Sequence, residues 1–183
     1  MDVVATALAA AGATVRMLAA AMFLVGAVAK MRDLTGFQAI LANYRLLPEF
    51  VLGPASIALV LVELAVGAGL IGWPVLAVPA AIALLLVFAF AVGVNLARGR
   101  SYIDCGCGLS RRRRISMGMV LQNLALGVLL VPAMLPLPAI TGFALVNCAI
   151  AGVLLYGLTQ IFSEIAALRV PGRDRTPAAW SQI

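Results

Sequence analysis

Apolar residues run through this chain in long blocks, broken by short polar stretches, with little of the alternation that marks half-buried strands or water-facing helices. Val3 to Ala29, Leu52 to Gly72, Val75 to Ala97, Ser116 to Leu135 and Ala139 to Phe162 each approach or exceed the roughly 20 residues needed to cross a hydrocarbon core of about 30 Å. They are read as five transmembrane helices. Asp33 to Pro48 is too polar to span. In it Phe37, Ile40, Leu41, Tyr44 and Leu47 recur at helical spacing, while Gln38, Asn43 and Arg45 fall elsewhere on the wheel. A short amphipathic helix along the interface, stopped by Pro48, fits that pattern, and so does a plain connecting helix. Trp73-Pro74 and Pro136-Leu137-Pro138 make tight breaks. The sequence predicts one all-α membrane domain over residues 1–168 and a disordered polar tail over 169–183.

Composition supports the same class. The 183 residues are 64% hydrophobic and 11% charged, and the mean hydropathy is +1.11. Soluble domains carry about 25% charged residues, so this chain has too little polar surface to coat a globule in water. A net charge of +6 raises the question of nucleic acid, but the basic residues sit in short blocks between apolar runs, as topology signals do. The partner they imply is the bilayer. Asp33–Pro48, Arg98–Ile115 and the tail carry nearly all the Lys and Arg and would share one face, while the opposite face has no basic residue. The positive-inside rule then predicts a plasma-membrane protein with its N-terminus outside and the Arg98–Ile115 loop cytoplasmic. Asp2 is the only early charge and Arg16 interrupts the first run, so that run is read as a retained helix rather than a signal peptide.

Histidine is absent and there are three cysteines, which rules out a histidine base and an ordinary four-ligand zinc site within one chain. Two of the cysteines fall in Tyr102-Ile103-Asp104-Cys105-Gly106-Cys107-Gly108, just before Arg111, Arg112, Arg113 and Arg114. Sulfurs two residues apart can close on each other only over a bent backbone, which Gly106 and Gly108 permit, and a strained, exposed disulfide tends to be labile. Arg98, Arg100 and the arginine run favour the thiolate. Thiol–disulfide exchange by Cys105 and Cys107 is the chemistry this points to. Against it stand an incidental turn and a shared metal site, and the arginine run is first of all a membrane anchor for the fourth helix.

A second polar set lies inside the spans. Arg16 and Glu63 fall near the middle of adjacent helices and are expected to pair, with Lys30 as an alternative partner for Glu63. Asn95 and Asn123 are expected near the cysteine loop, as hydrogen-bond donors to its backbone or between helices. A quinone docked near them, or a soluble thioredoxin-like partner, would complete an electron path. Ser116 is placed to cap the fourth span. Cys148, deep in an apolar helix, reads as a small hydrophobe.

Several of these stretches occur together in one family. Arg16 with Lys30, Asn43-Tyr44-Arg45-Leu46-Leu47-Pro48, Glu63-Leu64, Asn95-Leu96-Ala97-Arg98-Gly99-Arg100, Asp104-Cys105-Gly106-Cys107-Gly108, Ser116 and Asn123 resemble the small membrane proteins named after the methylamine-utilisation protein MauE, within the broader DoxX-like group. The resemblance implies a four-helix core plus one helix, and a redox-associated protein that helps form or deliver disulfides in exported clients beside a thioredoxin-like protein. Leu109 and Gln122 depart from the family pattern, which often has Phe or Gly at the first and commonly an Arg at the second. The rival reading is a non-catalytic accessory or assembly subunit of a larger membrane complex, with structural cysteines. Small-molecule transport is weaker, because few polar residues are available to line a path.

Overall fold

The computed structural model describes residues 3–103, 114–135 and 140–168. Cys105, Cys107, Arg111, Arg112 and Arg113, and the expected tail disorder, lie outside the described residues. Six α-helices form: α1 (Val3–Arg32), α2 (Leu34–Tyr44), α3 (Glu49–Gly72), α4 (Pro74–Ala97), α5 (Met117–Leu130, extended by a 3-10 turn over Val131–Met134) and α6 (Gly142–Leu168). Five are long and apolar enough to cross a membrane when α5 is taken with its 3-10 turn. The protein is an all-helical, multi-pass membrane protein, and the described residues include no β-strand.

α1 is the hub. It packs on α3, α5 and α6, while α4 packs on α3 and α5. The centre of this α1–α3–α4–α5 core is Phe23, Leu70, Val78, Ala81, Leu85 and Leu130, all nearly sealed. α6 lies outside it, against α1. Without a hydrophobic drive between helices in lipid, close approach depends on small residues. Gly152 supplies it: an added Cβ would sit 2.7 Å from the Leu18 nitrogen and the Thr14 oxygen. Gly152→Ala should therefore destabilise the fold by about 1–3 kcal/mol through overpacking. Gly157→Ala, where nothing lies within 4 Å, should leave the melting temperature in detergent unchanged.

α2 differs in its ending from the sequence expectation. Asp33 caps its start, accepting from the Gly36 N–H at 3.1 Å. Its end is set by Arg45, in the left-handed region at φ 48°, whose N–H reaches the Ala42 oxygen at 3.1 Å. Pro48 begins α3 instead of stopping α2. The apolar face of α2 turns inward, with Phe37 packed on Ala27 and Val60, and Tyr44 reaching the end of α4. Ser116 stands at the N-cap of α5 but makes no side-chain capping bond, so that expectation fails.

The end of α4 explains Arg98-Gly99-Arg100. Gly99, at φ 72°, donates to the Leu96 oxygen at 2.9 Å, and Arg100 donates to the Asn95 oxygen at 3.0 Å. This is a Schellman closure, in which glycine takes the left-handed position without a Cβ penalty. The chain leaves it into the cysteine loop. Ile115 N–H donates to the Ile103 oxygen at 2.9 Å, which ties the two ends of that loop together. Both isoleucines are buried, against Tyr44, Val92 and Met119.

Candidate functional site

The polar centre of the bundle is an ion pair. Lys30 Nζ donates to both carboxylate oxygens of Glu63, at 2.6 and 2.7 Å, and the two side chains are 5% and 2% exposed. The expected Arg16–Glu63 pair does not form. α1 and α3 run antiparallel, with Leu24 against Gly67 and Lys30 against Glu63. That register leaves Arg16 about 21 Å further along α1, at 1.5 Å per residue. Arg16 instead lines a cavity of about 400 Å³ with Pro74, Val75, Pro132 and Ala133, at the opposite end of the bundle. Its Nε is buried and has no hydrogen-bond partner.

Lys30 lies beneath two aromatic rings, 5.4 Å from the centroid of Phe37 and 5.7 Å from that of Phe88. Both are within the roughly 6 Å at which a cation gains from a ring face. On one side the pair borders a small chamber of about 60 Å³, lined also by Gln122, Asn123, Tyr156 and Gln160. With these polar groups in its wall, a chamber of that size has room for a few waters. Lys30 also lines a larger and almost wholly apolar cavity of about 490 Å³ between α2, α3 and α4.

The structure thus brings Lys30, Glu63 and Asn123 together and separates Arg16 from them. Asn95 is fully buried one turn from the loop. Its Nδ2 donates to Ala91 of its own helix at 3.0 Å, so it is not a donor to the loop backbone, and the link to the turn runs through its main-chain oxygen. Its Oδ1 and the Nη1 of Arg100 are buried without partners, two orphaned polar atoms at the loop base of the kind native structures rarely leave unexplained. Arg98 and Arg114 are exposed. Cys148 is a buried thiol whose sulfur lies 3.6 Å from the Ala10 oxygen, and no group of three or more His, Cys, Asp or Glu able to hold a metal occurs among the described residues.

Tyr156 and Gln160 were not singled out from the sequence. Their signal was the four-residue spacing of two polar groups on one face of an apolar helix, which points them into the bundle. Gln38 and Ser56, joined at 3.2 Å, likewise fasten α2 to α3.

These features define a multi-pass helical membrane protein built around a buried lysine–glutamate pair, with a basic loop at one end. The chain belongs to the family described as methylamine utilisation protein MauE, whose model matches residues 7–135. It is 38% identical over 168 residues to a protein of Paracoccus denitrificans named methylamine utilization protein MauE, covering 90% of this chain and 89% of the relative. No solved structure matches it.

Proposed function

We propose that the protein is a membrane thiol–disulfide redox protein in which Cys105 and Cys107 cycle between dithiol and disulfide and so assist the maturation of a client protein. The observation that supports it most is the build of the loop base. The Schellman turn, the Ile115–Ile103 bond and the buried isoleucines hold both ends of the loop against the bundle. Cys105 and Cys107 belong to the short connection between those tied ends. There a client thiolate attacks the Cys105–Cys107 disulfide, a second client thiol resolves the mixed disulfide, and the pair is left as a dithiol to be re-oxidised. Arg98 and Arg100 on one side of the loop, and Arg111, Arg112, Arg113 and Arg114 on the other, favour the thiolate. By the positive-inside rule the same basic residues support a cytoplasmic loop and an outside N-terminus in the plasma membrane.

Membership of a family named for methylamine utilisation fits a role in preparing a protein for that process. The thioredoxin-like partner rests on the family resemblance. Trapping tests the reading: a Cys107→Ser chain should accumulate a mixed disulfide through Cys105, seen on a non-reducing gel and lost on reduction. If no such adduct forms with any partner, and both serine variants instead weaken assembly of a larger complex, the cysteines are structural.

A further inference from the structure

We propose that the apolar cavity between α2, α3 and α4 is the binding site of a membrane-dissolved quinone, which takes the electrons released when Cys105 and Cys107 join. The inference rests on the thiol–disulfide reading for its redox role and on the cavity itself for its ligand. At about 490 Å³ the cavity falls within the roughly 300–1,000 Å³ of ordinary small-molecule sites. Its wall is apolar, and exposed residues such as Ala58, Val62 and Val87 line it, so a ligand can enter from the lipid. A lipid tail alone would suit such a wall.

The polar corner at Lys30 does not suit a tail. There Lys30 Nζ meets the cavity between the Phe37 and Phe88 rings, and only two of its three N–H donors are used, both by Glu63. No acceptor for the third occurs among the described residues. A flat ring with a carbonyl oxygen fits that corner: the ring lies against phenylalanines and the carbonyl accepts from Lys30. The cavity is also joined to the redox loop. Tyr44 and Val92 line it, and the same two side chains pack on Ile103 and Ile115, the tied ends of the loop. This brings the cavity up to Ile103 and Ile115, on a different face from the neighbourhood of Asn123, which borders the small chamber.

The reaction balances. The two thiols lose two electrons and two protons as the S–S bond forms, and the quinone gains two electrons and two protons to become a hydroquinone. The test is equilibrium binding of decylubiquinone to the purified full chain in lipid nanodiscs. Wild type and the Cys105→Ser/Cys107→Ser double variant should bind it saturably. Ala58→Phe/Ala91→Phe, which fills the cavity, should weaken binding at least tenfold, while Ala83→Phe, at an exposed position of α4 outside the cavity, should not. Non-saturable partitioning into wild-type discs, unchanged binding in the filled variant, or equal displacement by a saturated fatty acid would overturn the site. Counting free thiols in the same samples separates the two claims: saturable binding without thiol oxidation supports the site and removes the redox reading.

Discussion

Lys30→Met alone is expected to lower the stability of the protein in detergent by about 3–5 kcal/mol, the usual cost of leaving one half of a buried ion pair uncompensated. The stranded group is Glu63, 2% exposed, with both oxygens bonded to Lys30 and, among the described residues, to nothing else. In a membrane interior its charge finds little water beyond the small chamber beside it. Lys30→Met/Glu63→Leu should recover most of the loss, because well-packed apolar residues often replace a buried pair at little cost. Thermal unfolding of the two variants beside wild type checks this. Equal loss in both would mean that packing around Phe37 and Phe88, not charge, dominates the site.

The second large effect concerns the loop. Cys105→Ser, Cys107→Ser and the double variant should each reduce client disulfide formation to the uncatalysed level, with protein abundance unchanged. A residue pair that works as one unit loses everything with either member, so the double variant should be no worse than the singles. Client thiols counted by alkylation in cells report the outcome. Graded, additive losses would argue against a shared cycle.

The bundle itself was legible in the sequence because lipid demands long apolar runs, and nothing else in the chain competes with that signal. The amphipathic α2 was legible for the same reason at smaller scale, through Phe37 and Tyr44 facing inward. What the sequence did not contain was the sliding register between helices. Arg16 and Lys30 are both basic residues of one helix, and only the contact of Leu24 with Gly67 decides which of them meets Glu63. The end of α2 was misplaced because Arg45 adopts a conformation normally left to glycine or asparagine, which no propensity foretells. Asn95 drew attention as a polar side chain, yet its contact with the loop turn is made by its main chain. The apolar cavity went unseen because its walls, read singly, are ordinary lipid-facing or core positions on three helices.

The most direct measurement is differential alkylation of Cys105 and Cys107 with a membrane-impermeant reagent, in intact cells and in inverted vesicles, before and after reduction. Both thiols should label only in inverted vesicles, part of the pool should label only after reduction, and this part should change when the client is overproduced. Two thiols that are always fully reduced and indifferent to client supply would contradict the redox cycle.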